Sequence, residues 1–364
     1  PADLVFEIGV EELPAVDLAA ALAQLQERVP ALLTELRLAH GEVQILGAPR
    51  RLTVVVRDLA PRQPDRTQVV KGPPADRAFD AAGQPTPAAV GFARSRGLPV
   101  EALQITELDG GRYAAATVHE AGRPAAEVLR EALPGLIAGI KFDKSMRWNA
   151  SGVAFSRPIR WLLALLGEQV VPFSYAGLQS DCKTRGLRFH TPEVIEVHSV
   201  ADYFTALSSQ VIMLDPAERR AAVADQVRRL MDAAGGDPRR LDAGLLDEVT
   251  ALVEAPTALT GTFAADHLRL PPEVLISVMK KHQRYFPVLD RQGRLLPVFI
   301  AVRNGDEQGL DVVADGNEQV IRARFADADF FIRQDLQHKL PDLLPRLGTL
   351  TFQKKLGSML DKTH

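Results

Sequence analysis

Cysteine is nearly absent from this 364-residue chain. Cys182 stands alone, so no disulfide framework forms within the chain, which fits a reducing compartment. The apolar run from Trp161 to Leu166 is far too short to cross a bilayer. No signal-peptide pattern opens the chain, and a cytoplasmic location with no membrane partner is expected. A glycine loop ending in Gly-Lys-Ser/Thr, the mark of a P-loop nucleotide site, is missing. The eight histidines are scattered, with no His-x-x-x-His and no cysteine pair to hold a metal, and His190 and His198 are isolated. No Gly-x-Ser-x-Gly elbow appears, although a Ser-His-Asp set that converges only in space stays open. Internal repeats and low-complexity tracts are absent too.

What is present is a globular composition, 46% hydrophobic and 24% charged, long enough for two or three domains. The opening run Phe6-Glu7-Ile8-Gly9-Val10-Glu11-Glu12-Leu13-Pro14 predicts a strand, a turn with two carboxylates, and a helix begun by the proline. Leu18, Leu22, Leu25, Val29, Leu32 and Leu36 then recur at helical spacing. Glu11 and Glu12 read as partners of that helix start rather than as acid–base groups. Short strands are predicted at Val43 to Leu46, Leu52 to Val56, Gln104 to Glu107 and Tyr113 to His119, the last two joined at Gly110-Gly111. The proline-rich stretch from Pro61 to Pro74 reads as an exposed connection. Helices are expected over Pro87 to Arg96 and Ala125 to Ile140, with a helical turn at Pro99 to Leu103.

Further along, Trp161 to Leu166 and Val170 to Tyr175 predict two strands around Gly167. Asp215-Pro216-Ala217-Glu218 predicts a capped helix that ends at Gly235-Gly236. Helices from Asp242 to Val253 and from Pro271 through Met279 follow, then a hairpin around Gln292-Gly293. Ile321, Phe325, Ala328, Ile332 and Leu336 fall on one helical stripe, and another helix is expected to run into His364 without a stop signal. The fold class is therefore α+β, multi-domain, with mixed sheets, packed helices and a helical C-terminal segment. The expected regions are 1–140, 141–310 and 311–364, the last expected to lead to a truncated downstream domain.

The formal net charge of −3 excludes a global polyanion binder, and no DNA partner is expected. Its distribution is uneven. From Lys141 to His190, eight Lys/Arg face three Asp/Glu, leaving +5 there and −8 elsewhere. From Lys280 to Arg294, five basic residues face only Asp290. Lys144, Arg147, Arg157, Arg160, Arg185 and Arg188 form the first set of candidate phosphate-binding residues; Lys280, Lys281, Arg284 and Tyr285 form the second. Trp148 and Trp161 suit either base stacking or core anchoring, with the arginines then acting as their supports. The second set sits at a helix end, where cations also suit the dipole.

The opening motif resembles the start of the beta chain of bacterial two-subunit glycyl-tRNA synthetases, with Val10 where that family usually has threonine. The likeness continues through Ala48-Pro49-Arg50-Arg51-Leu52, Lys71-Gly72-Pro73, Ala89-Val90-Gly91-Phe92-Ala93-Arg94 and Met146-Arg147-Trp148. It extends through Phe155-Ser156-Arg157-Pro158-Ile159-Arg160-Trp161-Leu162, Thr184-Arg185-Gly186-Leu187-Arg188-Phe189 and Gln283-Arg284-Tyr285-Phe286-Pro287. The run from Arg322 to Phe331 closes the series. Leu187 departs from the usual histidine. Lys141-Phe142-Asp143-Lys144-Ser145 is only superficially similar to the class I synthetase signature loop, since no His-x-Gly-His accompanies it.

The resemblance implies a non-catalytic subunit. An alpha subunit would hold glycine, ATP and magnesium, leaving no cofactor in this chain. The beta chain would contribute recognition of tRNA-Gly, through the candidate residues named above, and assembly into an alpha–beta heterotetramer. It also implies downstream helical and anticodon-binding domains. Part of the fold is expected to resemble the editing-type domain of the phenylalanyl-tRNA synthetase beta chain. A hydrolytic editing module and a purely structural alpha-binding domain are the alternatives.

Overall fold

The computed structural model describes residues 1–80, 82–108, 110–188 and 190–364. Phe189, the last residue of the Thr184 to Phe189 motif, lies outside the described residues.

The central element is β1 (Ala2–Val10), the first strand. It is followed by α1 (Ala15–Glu35), β2 (Val43–Ala48) and β3 (Arg51–Leu59). Pro14 occupies the capping position just before α1, one step earlier than expected. Next come β4 (Arg66–Pro74), α2 (Pro87–Ser95), β5 (Leu103–Leu108), β6 (Gly111–Glu120) and α3 (Ala125–Gly139). The middle of the chain supplies β7 (Ile159–Leu166), β8 (Leu178–Asp181), β9 (Lys183–Arg185), β10 (Val194–Glu196) and α4 (Val200–Ser209). The remaining major elements are α5 (Pro216–Ala233), α6 (Ala243–Thr250), β11 (Pro256–Thr262), α7 (Pro272–Ser277), β12 (Phe286–Leu289), β13 (Leu295–Asn304) and α8 (Leu310–Asp335).

β1 lies between β3 and β7 in a seven-stranded mixed sheet and runs antiparallel to both. Beyond β7, β8 joins in parallel; beyond β3, β2 forms the edge. The sheet thus takes strands from both sides of residue 140. Successive residues of a strand face opposite sides. Leu4, Phe6, Ile8 and Val10 enter a core with Leu18, Leu25, Val29 and Leu33 of α1 and Leu129 and Ile137 of α3. Val5 enters a second core, with Val55, Leu163 and Leu165 and with Val200, Tyr203 and Leu207 of α4. Both faces are covered, so every side chain of β1 from Leu4 onward is buried. Val10 and Leu187, the two departures from the resembled family, fill apolar positions in the first and second cores.

A three-stranded sheet, β4-β6-β5, carries α2 on a small alanine-rich core. A further antiparallel sheet, β11-β13-β12, packs Val223, Val227 and Met231 of α5 and Leu245 and Leu246 of α6 on one face. Ile321 and Phe325 of α8 cover the other face.

Several expectations are corrected. The Pro61 to Pro74 stretch is not all connection: from Arg66 it is strand β4, paired with β6 from Arg66↔Glu120 to Lys71↔Ala115. The edge position accommodates Pro73 and Pro74, and the register slips between Lys71 and Pro74. Val170 to Tyr175 is not one strand. Gln169–Val170 and Ser174–Tyr175 pair separately, with Pro172, which has no N–H to donate, between them. The helix begun at Pro272 passes at Val278 into a π-helical stretch, Val278–Gln283, and stops at Arg284 in the left-handed region (φ 56°). No continuous helix runs into His364. Leu340–Leu343 is a short helix begun around Pro341; Thr351–Gln353 and Gly357–Ser358 form a hairpin; Met359–Thr363 is a second short helix capped by Ser358. Of the predicted stripe on α8, Ile321 and Phe325 are buried, whereas Leu336 is 80% exposed.

Candidate nucleic-acid interface

The site grows from one row across the large sheet, in which Gly9 of β1 stands between Arg51 of β3 and Trp161 of β7. Gly9 has no side chain, and the indole of Trp161 occupies the vacant space: a Cβ at Gly9 would stand 1.8 Å from its Cδ2. Glu7 lies two residues back on the same face. Its Oε1 accepts from the indole Nε1–H and from the Thr184 hydroxyl at 2.7 Å. Its Oε2 accepts from Arg51 Nη1 at 3.3 Å and from the Tyr203 hydroxyl of α4. Burial, with Glu7 alongside, pushes the Tyr203 phenol well above its usual pKa, so it remains a donor.

Arg51 extends the network. Nε donates to Glu254 Oε1 at 2.9 Å, and Nη2 donates to the Arg185 carbonyl at 2.9 Å. Desolvation alone would lower the Arg51 pKa; Glu254 and Glu7 outweigh it and the net shift is upward. The guanidiniums of Arg50, Arg51 and Arg185 lie 5.7, 5.6 and 5.4 Å from the Trp161 ring centroid. Such cation–π interactions strengthen as the groups are desolvated.

In front of this buried layer opens a cleft of about 370 Å³, lined by Val10, Glu11, Arg50, Arg160, Trp161, Arg185, Arg188, His190 and Glu193. Glu11 pairs with Arg160 Nε at 3.2 Å and with Arg188. Glu12 stands 3.5 Å from Arg188, and Glu193 stands 3.3 Å from Arg185. Glu11 therefore holds arginines of two other segments. The carboxylate in the first turn of α1 is Asp17, which accepts from the Ser156 hydroxyl.

Three of the ten residues expected to meet phosphate, Arg160, Arg185 and Arg188, converge in the cleft. Lys144, Arg147 and Arg157 are exposed and have no carboxylate partner among the described residues. Arg147 Nε donates to the Gly152 carbonyl at 3.1 Å, and Arg157 Nη1 donates to the Ser156 carbonyl at 3.2 Å. Met146–Arg147 pairs with Ala154–Phe155, which brings Arg147 opposite Ala154, just before Arg157 and Arg160.

The second set sits apart, against the β11-β13-β12 sheet. Lys280 pairs with Asp242 and Arg284 with Glu248 at 2.7 Å, while Lys281 is exposed. Tyr285 stacks its ring on Phe299 at 4.8 Å and donates its hydroxyl to Asn317 at 2.9 Å. Trp161 is an anchor of the large sheet; Trp148 packs partly buried against the first core.

Glu7, Glu254, Thr184 and Tyr203 are members of the site that sequence reasoning misses. A carboxylate inside the apolar run Leu4 to Val10 is the available signal for Glu7. Glu254 and Tyr203 come from distant segments and carry none. Among the described residues, no His/Cys/Asp/Glu group is arranged to hold a metal, and no helix is long and apolar enough to cross a membrane.

The sequence model of the glycyl-tRNA synthetase beta subunit family matches residues 4–364. A glycine–tRNA ligase beta subunit from Desulforamulus reducens is 47% identical over 360 residues, 99% of this chain and 52% of the relative. The protein of that name from Desulforudis audaxviator is 47% identical over 363 of this chain's 364 residues, covering 53% of the relative. That from Anaeromyxobacter dehalogenans is 45% identical over 364 residues, covering 52% of its length. The chain spans about half the length of the curated relatives it matches. With nearly every residue covered by the family model and the ordered motifs accounted for, this chain belongs to the glycyl-tRNA synthetase beta subunit family.

Proposed function

We propose that this chain contributes tRNA recognition and alpha-subunit assembly to a cytoplasmic alpha–beta heterotetramer that ligates glycine to tRNA-Gly with consumption of ATP. The alpha subunit would hold glycine, ATP and magnesium, and this chain alone would be inactive. The observation that carries the tRNA part is the exposed basic surface of Lys144, Arg147 and Arg157, whose charges have no carboxylate partner among the described residues, next to the arginine-lined cleft. Guanidinium forks match phosphate oxygens, and such interactions position an RNA without reading its sequence.

A chain that binds only the alpha subunit is the second reading. It is favoured by the internal pairing of Arg160 and Arg188 with Glu11. Salt-dependent tRNA binding decides. Removing one arginine–phosphate interaction flattens the slope of log K against log salt by roughly 0.7 to 0.9. The double change Arg147→Ala and Arg157→Ala should flatten it by about 1.5 units with an unchanged melting temperature. An unchanged slope favours the structural reading.

A further inference from the structure

The cleft is lined by four guanidiniums and two carboxylates, and two further carboxylates outside its lining, Glu12 and Glu254, approach Arg188 and Arg50 at 3.5 and 3.6 Å. Arg50 is its deepest cation. It is 4% exposed, its Nη1 donates to the Gly186 carbonyl at 3.2 Å, and its Nε is buried without a partner among the described residues. Glu254 approaches only to 3.6 Å, and its Oε2 is itself without a hydrogen bond. Burial holds the Arg50 pKa below the usual arginine value; Glu254 opposes this, while Arg51 and Arg188 repel the charge. A desolvated guanidinium that lines an arginine-rich cleft, with an unpaired Nε and only a long ion pair to Glu254, has donor capacity left for an anion.

Glu11 marks where such an anion would sit. It lies just after β1, reaches Arg160 and Arg188 together, and is about one-third exposed. It can therefore leave without unfolding the sheet. The volume, about 370 Å³, lies within the range that holds a small organic ligand and exceeds the need of a bare oxyanion.

We propose that this cleft is a single-phosphate site, taking one phosphate with its attached nucleoside, and that Glu11 is the resident counter-ion which the phosphate displaces from Arg160 and Arg188. The phosphate comes from an RNA strand or from a free mononucleotide. The choice of RNA as a source rests on the tRNA reading above; the site itself does not.

The test is titration of the chain with inorganic phosphate, with 5′-AMP and with a 5′-phosphorylated RNA tetranucleotide, at fixed ionic strength with chloride as the balancing anion. Saturable binding of AMP or of the tetranucleotide is expected, stronger than that of inorganic phosphate. Glu11→Gln removes the internal competitor, so it should tighten binding by about fivefold. Arg160→Ala, at a half-exposed position, should weaken it several-fold while the protein stays folded. A tetranucleotide bound about tenfold tighter than AMP supports a strand as the source; equal affinities support a free nucleotide. No saturation by any probe, or Glu11→Gln weakening the binding of a folded protein, overturns the proposal. Phosphate binding without tRNA binding keeps the site and removes the tRNA reading, and salt-dependent tRNA binding without phosphate saturation does the reverse.

Discussion

Glu7 and Arg51 meet at 3.3 Å on neighbouring strands, and neither side chain is exposed to solvent. Arg51 also holds Glu254 and the Arg185 carbonyl, so one guanidinium joins the middle of the large sheet to two later segments. Arg51→Met would leave Glu7 buried without its cation and Glu254 with only Arg50, at 3.6 Å. Removing one partner of a buried pair costs about 3–5 kcal/mol. Urea unfolding followed by circular dichroism should show a loss of that size. A loss below about 1 kcal/mol would mean that water or neighbouring cations already balance Glu7 and Glu254.

Gly9 is needed for a different reason. Its φ is ordinary, but the Trp161 indole occupies the space of its missing side chain. Gly9→Ala must push the indole away from Glu7 and tilt the arginines that surround it. Overpacking a tight site costs about 1–3 kcal/mol or more. Tryptophan fluorescence should shift with the loss of the buried Trp161 environment, and the melting temperature should fall. A variant with wild-type emission and stability would show that the sheet absorbs the methyl group without moving the indole.

Burial in β1 and α1 is written locally. Apolar residues at period two in the strand, and at three- and four-residue steps in the helix, encode their own faces, so these elements and most later ones are legible in the sequence. The strand β4 is not, because its pairing with β6 depends on an edge position that Pro73 and Pro74 conceal. At the end of the chain, leucine spacing suggests helix, but Pro341, Pro345 and Gly357 break the segment into short pieces. For the site, Arg160, Arg185 and Arg188 are legible as basic residues. Their convergence in one cleft, with Arg160 and Arg188 sharing Glu11, is not, since it is set by β1, β7, β9 and the stretch after β9 meeting in space. Arg50 is visible within a motif, but its burial comes from Gly186 and Glu254, far along the chain.

Asp242 makes the pH prediction. Lys280 and the Leu245 amide hold its carboxyl below the usual value, against desolvation. A depressed folded pKa means that the contribution is fully present above the unfolded value of about 3.9 and is lost as pH falls through the folded value. The Asp242 side chain is about one-third exposed, so solvent screening keeps the ion-pair part small. Asp242→Asn keeps a capping oxygen for α6 and should cost under about 1 kcal/mol at neutral pH. Asp242→Ala loses the cap as well and should cost about 1 kcal/mol more. Both variants should lose less stability than the parent between about pH 5 and pH 3, roughly the span where the carboxylate titrates. Equal acid sensitivity in all three proteins would remove Asp242 from the acid limb.

Arg219 supports the last prediction. It is 1% exposed and has no carboxylate partner among the described residues. Four backbone carbonyls receive its guanidinium: Thr250 at 3.0 Å, Leu214 at 3.3 Å, Gly47 at 2.9 Å, and Met213. Burial lowers its pKa to about 10, with Glu254 and Asp215 opposing. The charged form is the penalised one, so stability rises with pH between that value and the unfolded arginine value. The fork holds α5, the end of α6 and the edge strand β2 together. Lysine carries the same charge but not the fork, and its ammonium has only three donors. Arg219→Lys should therefore lose at least one of these four hydrogen bonds, at a cost of about 1–3 kcal/mol. The loss should be local. The Gly47 amide donates to the Leu214 carbonyl at 3.0 Å, directly beside the guanidinium. Hydrogen exchange at Gly47 should speed up in the variant, while the amides of β1, paired on both sides, keep their protection. Uniform acceleration across the large sheet would instead make Arg219 a support of global stability and not a fastener between β2 and the α5–α6 pair.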